Sequence, residues 1–194
     1  VLGPASAATA AGRRRIRKIV RGVFFHSLSN YLDLFAMPTS GPRMQADDLD
    51  VSGEEHVREA LALGKGVILF SAHFGPFHSL CSFFPLRGCE LVIPVEKLRD
   101  EEMFAITNAL RNQIGVRFVP VGLEALGAMV ANLRRNQLVL ITADRAIEGP
   151  SALKEFFGAP ARLPTGPAQL SARTGAPLVG AFGWRSPHRR TTCE

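Results

Sequence analysis

Val67-Ile68-Leu69-Phe70-Ser71-Ala72-His73-Phe74-Gly75-Pro76-Phe77-His78 is the stretch that decides the fold. Its first four side chains are apolar without alternation, the pattern of a strand buried on both faces, and Pro76 suits the first turn of a following helix. The same rhythm of apolar run, loop and amphipathic helix repeats toward the C-terminus. Strands are expected at residues 67–71, 90–95, 116–120, 138–142 and 177–182. Between them, residues 100–114 carry an Asp100 cap, Glu101 and Glu102 in the first turn, and Met103, Ile106, Leu110 and Ile114 on one expected apolar face. Residues 123–135 place Leu123, Leu126, Val130 and Leu133 on another, and a third helix runs from a Thr165 cap through Gly166 and Pro167 to a stop at Gly175. Such alternation means an α/β fold: a mainly parallel sheet, helices on both faces, and a site along the carboxyl ends of the strands.

Upstream, residues 13–36 read as a helix on which Ile16, Ile19, Val20, Val23, Phe24, Leu28, Tyr31 and Phe35 recur at spacings of three and four, opposite the arginines. Met37-Pro38 is expected to end it, residues 38–50 to form a turn-rich linker, and residues 53–63 a second helix stopped by Gly64. Charge is concentrated in this arm. Residues 1–35 hold six Arg/Lys against Asp33 alone, so the remaining 159 residues contribute only +1 to the net +6. Such an arm seeks phosphate, of anionic lipid or of nucleic acid. The division expected is therefore a basic amphipathic membrane-associating arm at residues 1–40 and an α/β domain at 41–194. The chain starts without Met and stops at Thr191-Thr192-Cys193-Glu194 just after an expected strand, which suggests a fragment truncated at its C-terminus. A length of 194 residues, with 46% hydrophobic and 21% charged, excludes disorder. No apolar run is long enough to span a membrane, and His26, Ser27, Ser29, Asn30 and Asp33 interrupt any cleavable signal. Three cysteines make no disulfide framework, so reduced thiols are expected.

Chemistry is expected at the strand ends. His73 stands where a buried strand turns into a helix, a place from which a neutral imidazole can act as general base, or simply satisfy backbone groups. Asp144, in Ala143-Asp144-Arg145, follows the strand at 138–142 and either joins that chemistry or caps the next turn. Thr165-Gly166-Pro167 is a helix start and equally a place to hold phosphate. Phe156-Phe157-Gly158 reads as a buried strand with a turn. His73, His78, Cys81 and Cys89 lie close in sequence, but their spacing is none of the usual zinc patterns and no metal is expected. Nucleotide-loop, dinucleotide and Gly-x-Ser-x-Gly signatures are absent, as is any stacking platform for nucleic acid.

From about Tyr31 onward the blocks resemble, in order, the lipid A late acyltransferases and the related phosphatidylinositol mannoside acyltransferases, within the lysophospholipid acyltransferase superfamily. Tyr31-Leu32-Asp33-Leu34-Phe35 looks like the leader helix, and Gly64-Lys65-Gly66 with the stretch through Gly75 like the first strand and histidine. Val95-Glu96-Lys97-Leu98 with Arg111 and Gly115 looks like the second block. Ala143-Asp144-Arg145 leading to Phe156-Phe157-Gly158, Arg162, Thr165-Gly166-Pro167 and Arg173-Thr174-Gly175 is the longest and most specific match. The resemblance implies a glycerolipid-acyltransferase-like fold and transfer of a fatty acyl chain from a thioester donor, acyl-CoA or acyl carrier protein, with no further cofactor. The acceptor implied is a hydroxyl of a glycolipid or phospholipid precursor, at the cytoplasmic face of the plasma membrane. The family histidine is followed at the fifth position by Asp or Glu, and here that position is His78. A neutral His78 supplies no negative charge to the imidazolium, so a weakened base is expected, with Glu96 and Asp144 as compensating carboxylates. Ala146 stands where the family has a second acid. The implied substrate-binding residues are Arg111, Arg145, Phe156, Phe157, Gly158, Arg162, Thr165 and Gly166. The departures at 78 and 146 keep open a non-catalytic lipid-binding relative.

Overall fold

The computed structural model describes residues 8–47, 49–98, 100–113, 115–146, 149–185 and 191–193. In chain order the elements are α1 (Ala10–Asp47), β1 (Leu49–Val51), α2 (Glu54–Leu61), β2 (Val67–Ser71), α3 (Phe77–Phe83), β3 (Leu91–Val95), α4 (Glu101–Asn112), β4 (Val116–Pro120) and α5 (Leu123–Arg134). They continue with β5 (Leu138–Thr142), β6 (Ser151–Phe156), β7 (Ala159–Pro164), α6 (Gly166–Thr174), β8 (Leu178–Gly180), β9 (Gly183–Arg185) and β10 (Thr191–Cys193).

Five strands in the order β4-β3-β5-β2-β8 form a parallel sheet. Its unbroken apolar strands follow from burial on both faces: Val67 and Leu69 of β2 face a core with Leu34, Cys81 and Phe83, while Ile68 faces the core holding Leu133 and Leu170. Helices α1 to α3 therefore cover one face, and α5 and α6 the other. Buried Asn132 ties the sheet's amino edge, its Nδ2 donating to the carbonyls of Leu138 at 2.7 Å and Glu90 at 3.2 Å.

The expected fold class is the observed one, with differences in detail. Helix α1 does not stop at Met37-Pro38 but continues to Asp47, replacing most of the expected linker. A proline removes one N–H bond, yet its fixed φ is itself helical. Its apolar residues are only in part opposite the arginines: Val23, nine residues from Arg14, lies on the opposite side, whereas Arg17 and Phe24, like Arg21 and Leu28, are seven apart and share a face. Phe24, Phe25 and Leu28 are exposed, whereas Leu34 is fully buried. On α4, Met103 and Ile106 are exposed and Thr107 is the buried residue; Ile114 lies outside the described residues. On α5, Leu123 is 89% exposed and the buried face is Ala125, Asn132 and Leu133. The first turns of both helices start at the sheet's carboxyl edge. The Asp100 cap forms, its Oδ1 accepting from Met103 N–H at 2.9 Å, whereas the Thr165 side chain does not cap α6 and instead accepts from Gln169 Nε2 at 3.1 Å. Phe156-Phe157-Gly158 is no buried strand but the exposed end of the two-stranded β6–β7 hairpin.

Candidate active site

β2 and β5 are neighbours in the sheet although they are far apart in the chain, and their last rung pairs Ser71 with Thr142. Ala143 N–H donates to the Ser71 carbonyl at 2.8 Å, carrying the ladder one step further. The residues two beyond that rung are His73 and Asp144, and Nδ1 of His73 lies 2.9 Å from Oδ1 of Asp144. A carboxylate only accepts, so Nδ1 carries the proton and Nε2 is left as the basic nitrogen. The His73 side chain is 51% and that of Asp144 33% exposed, so the pair is open to a substrate.

The loop that carries His73 is held from both ends. Phe74 N–H donates to the Ala72 carbonyl at 2.7 Å and Phe77 N–H to the Gly75 carbonyl at 3.0 Å. Gly75 has a φ of +64°, and a Cβ there would collide with the Gly183 carbonyl of β9, so only glycine fits. The Phe77 ring lies near-parallel to the His73 imidazole, with centroids 6.4 Å apart and planes 25° from parallel.

His78 does not reach this pair. It sits on the inner side of α3 with 6% of its surface exposed, and among the described residues its Nδ1 has no hydrogen-bond partner. Burial, and secondarily the charge of Arg111, hold its pKa down at about 4, so it is neutral at pH 7. Arg111 is itself half-buried, with its guanidinium 5.3 Å from the Phe118 ring centroid; burial lowers its pKa, against the pull of Tyr31 and Cys81. Burial pushes the Cys81 thiol far up, which makes it an inert core group.

The other candidates are spread along the same edge. Glu96 is exposed just past β3, a strand separated from β2 by β5, about 10 Å across the sheet at about 4.8 Å per strand, and among the described residues it makes no hydrogen bond to His73, whose partner is Asp144. β3 and β5 pair only through Leu91 and Val92 and part thereafter, leaving that edge open. Arg145 is exposed beside Asp144. Phe156, Phe157 and Gly158 lie at the hairpin tip, and Arg162 on its second strand approaches Ser151 Oγ at 3.4 Å. Thr165 and Gly166, half-buried, start α6, and Thr165 N–H closes the hairpin base on the Pro150 carbonyl at 2.9 Å. Sequence reasoning missed a largely apolar cavity of about 320 Å³ lined by Val57, Leu80, Phe83, Phe84, Val179 and Ala181, with Glu54, Glu55 and His56 also on its wall. Its walls come from α2, α3 and the segment around β8, so no local pattern could have revealed it.

A family model described as bacterial lipid A biosynthesis acyltransferase matches residues 13–192. A phosphatidylinositol mannoside acyltransferase of Mycobacterium tuberculosis (strain CDC 1551 / Oshkosh) is 29% identical over 157 residues, covering 78% of this chain and 50% of the relative. A protein of the same description from Mycolicibacterium smegmatis is 26% identical over 165 residues, 81% of this chain and 54% of the relative. The chain spans about half the length of the curated relatives it matches.

Proposed function

The chain belongs to the bacterial lipid A biosynthesis acyltransferase family, and from that premise we propose that His73 and Asp144 form the base of an acyl transfer from a thioester donor to a hydroxyl of a glycolipid or phospholipid precursor. The observation that carries this reading is the 2.9 Å contact of His73 Nδ1 with Asp144 Oδ1 at the carboxyl edge. Nε2 takes the acceptor's hydroxyl proton as the oxygen attacks the thioester carbonyl; Asp144 stabilises the imidazolium that forms, and the imidazolium returns the proton to the departing thiolate. The base contributes roughly 10²- to 10⁴-fold, and holding donor and acceptor together supplies the rest. Asp144 thus does, from the neighbouring strand, what the family carboxylate does from the helix position taken here by His78.

Acyl-CoA or acyl carrier protein serves as donor, its phosphate assigned to Arg145, exposed beside Asp144, and part of its acyl chain to the largely apolar cavity beside β8. Arg111, Arg162, Thr165 and Gly166 are assigned to substrate through the family pattern. The six cations of residues 13–21 together with exposed Phe24, Phe25 and Leu28 hold the protein on the anionic cytoplasmic face of the plasma membrane as an interfacial helix. Among the described residues no helix is long and apolar enough to cross a membrane.

Transfer of a radiolabelled acyl group from acyl-CoA to extracted membrane lipids tests the reading. The parent should label a lipid, and folded His73→Ala should not. The absence of acid at 78 and of a second acid at 146 favours a second reading, a lipid-binding relative without transfer; labelling by neither protein, with lipid still bound, would establish it.

A further inference from the structure

The β6–β7 hairpin leaves the sheet from the same strand end as Asp144 and ends in the two-residue turn Phe157-Gly158. Both turn residues have positive φ, +52° and +74°, which defines a type I′ turn. Asn or Gly is the residue such a turn favours at its first position, and a bulky side chain there is an outlier. The chain nevertheless puts a phenylalanine there, and Phe157 is 82% exposed, so the protein's own core does not compensate the strain. Its ring meets Phe156 edge to face, with centroids 4.6 Å apart, so the two rings stand together at the tip.

A convex aromatic tip does not form a groove. We propose that the hairpin is a membrane wedge, with Phe156 and Phe157 immersed in the interfacial zone of the bilayer beside the active site. Charge supports a lipid occupant. Lys154 and Arg162, both exposed, lie two and three residues behind the tip, about 7–10 Å at 3.3 Å per residue. That is the depth of the phosphates when an apolar element enters about 5–10 Å below them. Glu155 is the one acid on the two strands. The proposal rests on the reading that the acceptor is a lipid, since a lipid hydroxyl can reach His73 only where this edge meets the bilayer.

Trp184 is the single tryptophan of the chain, so Trp184→Phe combined with Phe157→Trp gives a reporter at the tip. The probe is vesicles of phosphatidylcholine and phosphatidylglycerol, with and without brominated acyl chains. The expected result is a blue shift of the tip emission on plain vesicles and strong quenching on brominated ones. Phe156→Ser with Phe157→Asp, checked for an unchanged melting transition, should lower vesicle partitioning roughly tenfold or more. The proposal is overturned by a tip emission unchanged while the protein co-sediments with vesicles, or by a blue shift without quenching, the mark of a protein contact. It is equally overturned by a parent that ignores vesicles, or by a shift produced by a detergent-dispersed acceptor alone, which would make the tip a wall of the substrate site. No transfer is read in this experiment, so failure of the acyl-transfer assay and failure of the wedge are separate results.

Discussion

Removing the Asp144 carboxylate asks whether the base works through its neighbour. Two unit charges about 4 Å apart interact by about 1 kcal/mol in water and about 4 kcal/mol at an effective dielectric constant near 20. The His73 and Asp144 side chains are 51% and 33% exposed, between those limits, so the carboxylate stabilises a developing imidazolium by about 1–3 kcal/mol. Asp144→Ala should therefore lower the single-turnover rate roughly five- to 150-fold. Asp144→Asn should be at least as damaging: its amide can donate to Nδ1, which moves the ring proton to Nε2 and removes the base altogether. Stability should hardly change, because exposed ion pairs contribute only about 0–1 kcal/mol. The assay is rapid quench with radiolabelled acyl-CoA and enzyme in excess, alongside thermal melts. A rate for folded Asp144→Ala equal to the parent's would refute the pairing as the source of basicity.

His78 gives a pH signature. Its pKa is about 4 when folded against an ordinary 6.5, so the folded state binds fewer protons between those values; its contribution is full above pH 6.5 and falls as the pH drops toward 4, by about 3 kcal/mol. Urea titrations at neutral pH and near pH 4 should show a smaller acid loss for His78→Gln than for the parent, and equal losses would contradict the burial. His78→Glu should not raise turnover, because position 78 faces the core rather than His73. Replacing Arg13, Arg14, Arg15 and Arg17 by Gln should release the protein from anionic vesicles, at about 1 kcal/mol per charge, and co-sedimentation unaffected by the change would remove the electrostatic part. Gly75→Ala should cost roughly 2–4 kcal/mol in denaturant titration through positive φ and collision with the Gly183 backbone; a neutral outcome would mean that β9 does not press on the His73 loop.

Where burial shapes composition, the sequence could be read. Val67–Ser71 and Leu138–Thr142 lie at their expected positions because a strand covered on both faces is nearly all apolar, and the edge strand Val116–Pro120, despite its exposed Arg117, is marked by Val116, Phe118 and Val119. The faces of α4 and α5 differ from the periodic expectation because apolar spacing does not say which side of a helix meets the sheet: Met103, Ile106 and Leu123 keep the helical period but lie on the exposed sides. Of the β6–β7 hairpin only the tip is legible, as a strand and turn at Phe156-Phe157-Gly158, because Leu153, Lys154, Glu155 and Phe156 of β6 are all exposed and do not alternate. The candidate site was legible residue by residue but not as an arrangement. His73 and Asp144 were each marked by standing at a strand end; that they touch depends on β5 lying next to β2, a matter of strand order that local pattern does not encode.

Ser71-Ala72-His73 and Thr142-Ala143-Asp144 are the same short phrase written on two adjacent strands: hydroxyl, small residue, working group. Each β2 residue faces the one 71 positions further on, and His73 and Asp144 keep that interval. The two groups are thus addressed by the ladder and not by the chain. Residues 77–137 could lengthen or shorten without displacing one group from the other, so long as both strands keep their places. Deleting Ala72 or Ala143, by contrast, would send one of the groups to the opposite side. Distant chains carrying this pair would be recognised by two matched strand-end tripeptides at any separation, and a fixed-spacing pattern would pass over them.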